Sequence, residues 1–159
     1  MTYIPKLFIE TTVFNFYFEG KQGKKQRDSN RLFEDIALGK YEAYTSHVVI
    51  DELAKASEEK FEKMKVLSEK FIKKIVIPSA ESILLAKKYI AKNIIPEKHL
   101  DDALHIAIAS VNNLDFVISY NLSHIVKTKT MIGTGLANLR KGYRQIGIST
   151  PTEVLEYDY

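Results

Sequence analysis

The sequence predicts an α/β protein, a three-layer α/β/α sandwich around a mainly parallel sheet of about five strands. Short clusters of β-branched and aromatic residues alternate along the chain with longer helical patterns. Parallel neighbours need long crossover connections, because the chain must return to the same end of the sheet before the next strand begins. The length of 159 residues is close to that of one average domain, so we expect a single domain over residues 1–159.

Five segments have the composition of strands, and helical patterns fill the intervals between them. The predicted strands cover residues 6–9, 41–45, 74–77, 115–119 and 146–149. The predicted helices cover residues 27–38, 47–56, 58–72, 80–91 and 97–113, and a further helix opens at Thr11 and Thr12. Ser46 and Ser79 directly precede two of these helices and are candidate N-caps, because a serine oxygen can accept a hydrogen bond from the first turn.

The segment Gly133-Thr134-Gly135 predicts a turn or an interruption of a helix. A dinucleotide-binding loop would need a preceding strand and a third glycine, and Asn138 stands at the position of that glycine. We therefore assign no nucleotide to this segment.

The composition excludes several kinds of site. The chain has no cysteine, which excludes disulfides, thiolate nucleophiles and thiolate metal sites. Its 23 Lys and Arg against 20 Asp and Glu leave a net charge of +3, too small to indicate nucleic-acid binding by itself. The sequence has neither a signal-peptide pattern nor an apolar stretch long enough to span a bilayer, so we expect a cytoplasmic protein with no membrane partner.

Acidic residues stand where a parallel sheet gathers its ligands, outside the carboxyl ends of the strands. Glu10 directly follows the first predicted strand, and Glu52 lies about one and a half turns into the helix after the second. Asp101 and Asp102 begin the most apolar helix of the chain, where an acid is also stabilised by the helix dipole. Helical periodicity alone does not choose between these two aspartates.

Carboxylates that converge at one sheet edge would repel each other by about 4 kcal/mol per pair at 4 Å and an effective dielectric near 20. A hard divalent cation such as Mg²⁺ or Mn²⁺ would relieve this repulsion and suit phosphodiester hydrolysis. The alternative is that these are scattered surface carboxylates among the 20 acids of the chain. His99 and His105 flank Asp102, but their side chains splay apart on the helix, so we interpret them as ordinary packed or surface histidines and not as a zinc site.

Four short segments, in this order, resemble the PIN-domain ribonucleases, the family that includes the VapC toxins of type II toxin–antitoxin systems. They are residues 8–13 (FIETTV), 46–53 (SHVVIDEL), 102–107 (DALHIA) and 116–121 (FVISYN). The resemblance runs along most of the chain. It implies a PIN-like sandwich with a mainly parallel sheet, in agreement with the strand pattern.

The resemblance also implies a set of metal ligands, Glu10, Glu52 and Asp102. It selects Asp102 over Asp101, because the third acid of the family immediately precedes Ala-Leu-x-Ile-Ala. Glu10 departs from the family, in which the first acid is usually an aspartate.

Two further residues receive roles from the resemblance. Asn121 stands where many members have another aspartate, and it would support the metal directly or through water. Ser119, two residues earlier, would orient water or phosphate. The catalytic set implied for this chain is therefore Glu10, Glu52, Asp102, Asn121 and Ser119.

The activity implied by the resemblance is that of an endoribonuclease that depends on Mg²⁺ or Mn²⁺ and hydrolyses RNA phosphodiesters with a metal-activated water. The implied partners are an RNA substrate and, for a toxin, an antitoxin protein; we also expect a homodimer, since two-fold dimers are the commonest assembly. An acid-free stretch over residues 116–152 favours a basic rim for phosphate. The alternative is a PIN-like RNA-binding or protein-interaction module, in which the changes at Glu10 and Asn121 have left little turnover.

Overall fold

The computed structural model describes residues 3–19 and 23–156. Its strands are β1 (Lys6–Ile9), β2 (Glu42–Ser46), β3 (Ile72–Val76), β4 (Phe116–Ile118) and β5 (Gly147–Ser149). They form one parallel sheet in the order β3-β2-β1-β4-β5, with β1 in the centre. Helices flank this sheet, which confirms the predicted three-layer α/β/α sandwich.

The helices are named here in chain order. They are α1 (Thr11–Phe18), α2 (Lys24–Ala37), α3 (His47–Ala56), α4 (Glu58–Phe71), α5 (Ala80–Ala91), α6 (Leu100–Val111), α7 (Thr128–Arg140) and α8 (Pro151–Leu155), with a 3-10 turn at Glu97–His99 before α6. Across the described residues, none of them is both long and apolar enough to cross a membrane.

Strand β1 is the central strand of the sheet. Leu7, Phe8 and Ile9 are consecutive and fully buried, as expected for a strand that is covered on both faces. Phe8 lies opposite Tyr44 of β2 on one side and Val117 of β4 on the other. Because all three strands are parallel, their carboxyl ends meet at one edge of the sheet.

Several predicted boundaries differ from the structure for local reasons. The third strand begins two residues earlier than predicted, at Ile72, which pairs with Ala43 across a register shift in β2. The helix predicted over residues 97–113 is divided, because His99 has φ −111° and ψ 41° between the 3-10 turn and α6. Asn113, with φ 57°, then ends this segment in the left-handed region that asparagine tolerates.

The two candidate N-caps behave differently. Ser79 forms a capping box with Ser82, in which each side chain accepts a hydrogen bond from the backbone N–H of the other, at 3.1 and 2.8 Å. Ser46 occupies the N-cap position of α3 but makes no capping bond, and its hydroxyl has no hydrogen-bond partner among the described residues.

The predicted break at Gly133-Thr134-Gly135 is wrong, because these residues lie inside α7. A Cβ atom on Gly133 would lie 2.8 Å from Cγ1 and 2.9 Å from Cγ2 of Ile94. The glycine therefore allows α7 to approach Ile94 closely. Helix-breaking propensity was visible in the sequence, whereas this tertiary contact was not.

We expect Gly133→Ala to lower the free energy of unfolding by about 1–3 kcal/mol, the usual cost of overpacking a well-filled site. Gly135→Ala is the matched control, since its added Cβ would lie 3.4 Å from the flexible side chain of Gln145. Alanine in a helix interior is otherwise favoured over glycine by about 0.5–1 kcal/mol, so the control should be neutral or stabilising. Urea unfolding of both variants measures the difference, and equal effects would contradict the proposed close approach.

Candidate functional site

The site is built on the carboxyl edge of β1, β2 and β4. Glu10 follows β1 and is the N-cap of α1, with only 3% of its surface exposed. Its Oε1 accepts hydrogen bonds from the backbone N–H of Thr12 at 3.1 Å, from Thr12 Oγ1 at 2.5 Å and from Ser119 Oγ at 2.6 Å. All three end on one oxygen, so they fix the orientation of the carboxylate and leave Oε2 for another ligand.

Ser119 and Asn121 connect the end of β4 to the acids. The Ser119 hydroxyl donates to Glu10 and accepts a bond from the backbone N–H of Asn121 at 2.9 Å. The side chain of Asn121 donates from Nδ2 to Asp102 Oδ1 at 3.2 Å, while its Oδ1 accepts from the backbone N–H of His124 at 3.1 Å. In this structure Ser119 therefore orients Glu10, and Asn121 orients Asp102.

Glu52 of α3 meets a histidine of α6. Its Oε1 lies 2.7 Å from Nε2 of His105, which is completely buried, whereas the Glu52 side chain is 31% exposed. The ring N–H does not point at this oxygen, so the two atoms approach closely without hydrogen-bond alignment. Neither nitrogen of His105, nor Glu52 Oε1, has a hydrogen-bond partner among the described residues.

The interpretation of His105 as an ordinary packed histidine is incomplete. Ligand atoms of Glu10, Glu52 and His105 all lie within 4.8 Å of one another, a spacing that can hold a metal ion. Burial disfavours the protonated imidazole, but the contact with Glu52 and the negative charges of Glu10 and Asp102 outweigh it and raise the pKa of His105. The position of His105, one turn after Asp102 on the same helix, was the available sequence signal.

Asp102 lies beside this group and not within it. Its side chain is 15% exposed, and its Oδ2 is 3.6 Å from Nδ1 of His99. Burial raises the pKa of Asp102, the nearby histidines oppose this shift, and the charge of Glu52 adds to it. Asp101 is exposed to solvent on the neighbouring helix position.

His124 joins the outer side of the site. Its ring stacks on that of His99, with centroids 3.7 Å apart. Partial burial, the neighbouring His99 and the positive charges of Lys127 and Lys98 lower the pKa of His124, while Asp102 opposes them. The mouth of the site therefore carries imidazoles and lysines next to its acids.

The basic stretch predicted as one phosphate rim is divided in the fold. Lys127 precedes α7 and influences His124, so it lies on the side of the acids. Arg144 instead bonds the carbonyl of Asn113 at 2.9 Å and lies 3.5 Å from Asp115, next to the amino end of β4. The linear clustering of charge did not reveal this separation, because the two ends of α7 lead to different edges of the sheet.

Neither a family model nor a curated protein matches this sequence. Two solved structures do match the fold. VapBC2 from Rickettsia felis, crystallised with a DNA fragment from its promoter, gives a TM-score of 0.59 at 13% identity over 91% of this chain and 98% of that chain. FitAcB from Neisseria gonorrhoeae gives a TM-score of 0.59 at 12% identity over 92% and 98%.

The chain has a PIN-like fold. The expected fold is thus confirmed, and at 12–13% identity the likeness is one of fold. Within this PIN-like fold the residues at the sheet edge fit a divalent cation. Among residues 3–19 and 23–156, buried polar atoms of Glu52 and His105 lack hydrogen-bond partners, and the hydrogen bonds to Glu10 all end on its Oε1.

Proposed function

We propose that this protein is a metal-dependent endoribonuclease that hydrolyses RNA phosphodiesters and serves as the toxin of a toxin–antitoxin pair. The observation that carries the proposal is the convergence of Glu10, Glu52 and buried His105, with Asp102 adjacent, at the carboxyl edge of a PIN-like sheet. Acids gathered there without a counter-charge would repel each other, so the arrangement favours a cation.

Glu10, Glu52 and Asp102 would hold Mg²⁺ or Mn²⁺. When bound, such a cation supplies Lewis acidity, which lowers the pKa of water and neutralises charge on the phosphate. The residues of the chain keep its ligands in place: Ser119 fixes Glu10, and Asn121 fixes Asp102. A role of Ser119 toward water or phosphate stays a prediction, because its proton is given to Glu10 in this structure.

RNA suits this site because of the charges around it. The acids require a cation that attracts phosphate, and Lys98 and Lys127 lie near His124 on the outer side. Phosphate contacts made by lysines release counterions, so RNA affinity should weaken with salt. The proposed protein partner is an antitoxin, which is supported by the likeness to two toxin–antitoxin complexes. A homodimer and a cytoplasmic location complete the proposal.

The alternative is a PIN-like RNA-binding module with little turnover. It is favoured by the side chain of Asn121, whose oxygen is engaged by the backbone of His124 and which adds no charge to the site. The two functions are separated by incubating the purified protein with mixed RNAs in Mn²⁺ or in chelator. An endoribonuclease will cleave only with the metal and leave 5′-phosphate and 3′-hydroxyl ends. Salt-sensitive RNA binding without cleavage would instead support the module.

We expect Mn²⁺ to raise the melting temperature of the protein. A ligand that binds only the folded state at a hundred times its Kd stabilises it by about 2.7 kcal/mol. For a chain of this length this corresponds to roughly 5–10 °C. Glu52→Gln should reduce the shift, because it removes one charge from the site, whereas Asp101→Asn should keep it. If millimolar Mn²⁺ shifts the melting curve of none of these proteins, the proposed cation site is wrong.

A further inference from the structure

We propose that His105 is a direct ligand of the cation, which makes the centre a mixed nitrogen and oxygen site that prefers Mn²⁺ and later transition metals to Mg²⁺. This inference rests on the proposed function, since it concerns the same site. The inference goes beyond the proposed function by adding His105 to the three acidic ligands and by predicting which metals the protein selects.

The first argument is the position of the imidazole. Nε2 of His105 lies 2.7 Å from Glu52 Oε1, and both are grouped with Glu10 within 4.8 Å. Neighbouring ligand atoms on a cation with bonds of about 2.1 Å lie roughly 3 Å apart. The nitrogen and the carboxylate oxygen are thus already at the separation that two adjacent ligands of one metal require.

The second argument is that the buried ring of His105 lacks an aligned hydrogen bond. The side chain is completely buried, and neither ring nitrogen has a hydrogen-bond partner in the described part of the chain. Buried polar groups in folded proteins are almost always paired, because an unpaired one keeps the full cost of lost hydration. Glu52 Oε1 lies 2.7 Å from Nε2 but off the direction of a hydrogen bond, so this contact alone does not satisfy the ring.

The third argument is that the protein scaffold holds this imidazole firmly. His105 lies in the interior of α6, and its ring is 5.8 Å from that of Phe8 in the central strand. Glu52 reaches it from α3, a different helix that packs against α6. The ligand set therefore comes from the junction of β1 and α1, from α3 and from α6, elements that pack in the core.

Nitrogen ligation has a chemical consequence. Mg²⁺ strongly prefers oxygen and keeps its waters, whereas affinity for imidazole rises from Mn²⁺ through Co²⁺ to Ni²⁺, and Zn²⁺ also binds imidazole well. A site that combines carboxylates with one imidazole should therefore bind Mn²⁺ more tightly than Mg²⁺. Removal of His105 should diminish this preference, because the carboxylates that remain serve both cations.

Pulsed EPR of the Mn²⁺-loaded protein tests the bond directly. We expect the spectrum to show coupling to a coordinated ¹⁴N nucleus, and we expect this coupling to change to that of ¹⁵N when the histidines alone are labelled. The wild-type protein suffices for this measurement, so the test does not depend on the folding of a variant. Bound Mn²⁺ without a histidine nitrogen in its coordination sphere would overturn the inference while leaving the proposed function intact.

Two variants identify the histidine and its effect on metal choice. His105→Gln should abolish the nitrogen coupling and weaken Mn²⁺ binding about 10- to 100-fold or more, with a much smaller change for Mg²⁺. His99→Gln is the control, because His99 also lies near Asp102, and it should keep the coupling. Calorimetric titrations of both metals give the dissociation constants, and melting curves in chelator show that each variant is folded.

The outcomes distinguish this inference from the proposed function. Equal weakening of Mn²⁺ and Mg²⁺ by His105→Gln would make His105 a positioning residue for Glu52 and would overturn direct ligation. Loss of the coupling in His99→Gln would move the ligand to the outer histidine pair and would overturn it as well. If neither Mn²⁺ nor Mg²⁺ binds the wild-type protein, both the assignment of His105 as a ligand and the metal-dependent function are wrong.

Discussion

Asp102→Asn is expected to lower the rate of RNA cleavage by about 100- to 1000-fold, the usual loss when a group that stabilises developing charge is removed. Asp101→Asn is expected to retain most of the rate. Asp102 is largely buried, is held by Asn121 and lies within electrostatic reach of Glu52 and His105. Asp101, the preceding residue, is exposed to solvent.

The two aspartates form a matched pair. Both lie in the first turn of α6, so both substitutions remove a favourable interaction with the helix dipole that is worth about 0.3–1 kcal/mol. Any difference in cleavage rate between the two variants therefore comes from the metal site and not from the stability of the helix. Cleavage rates in Mn²⁺ measure the effect, and circular dichroism verifies the fold. Equal losses in the two variants would refute the choice of Asp102.

The layer architecture was predictable because it depends on local composition. The cluster at residues 6–9 predicted a strand, and the structure places β1 there with Leu7, Phe8 and Ile9 fully buried. Helix α7 was not predicted, since its two glycines are poor helix formers and their local signal favours a turn. Gly133 fits in the helix because its missing Cβ lets α7 pack closely against Ile94, a residue almost forty positions away in the sequence.

Part of the candidate site was also predictable from local sequence patterns. Glu10 and Glu52 could be found because strand ends are visible in the sequence, and parallel strands bring their carboxyl ends together. His105 was set aside because helical spacing splays it away from His99. What brings Glu52 to its ring is the packing of α3 against α6. Complete burial of a polar ring without a partner is a property of the tertiary structure, and no single-sequence pattern indicates it.

Asn121→Asp is expected to lower the melting temperature in chelator and to tighten Mn²⁺ binding. The substitution keeps an acceptor for the backbone N–H of His124, but it replaces the Nδ2 donor with an oxygen that faces Asp102 Oδ1, 3.2 Å away. Two unit charges 4 Å apart repel by about 4 kcal/mol at an effective dielectric near 20. Without a metal, this repulsion destabilises the folded state.

A bound cation attracts the added carboxylate and outweighs its repulsion from Asp102. Desolvation cancels much of the Coulombic gain, so we expect a net tightening of about tenfold, or about 1.4 kcal/mol. Activity is a poorer measure than affinity, because an added anion also repels the incoming phosphate. Calorimetric titration of Mn²⁺ into both forms, with melting curves in chelator and in Mn²⁺, gives the two quantities separately.

Asn121→Ala is the matched control, since it removes the hydrogen bond to Asp102 without adding charge. It should lower the melting temperature in chelator slightly and should not tighten Mn²⁺ binding. A tighter Mn²⁺ complex in the aspartate variant alone would show that residue 121 faces the cation. Unchanged or weaker binding in that variant would place residue 121 outside the reach of the metal, and Asn121 would then act only by holding Asp102 in position.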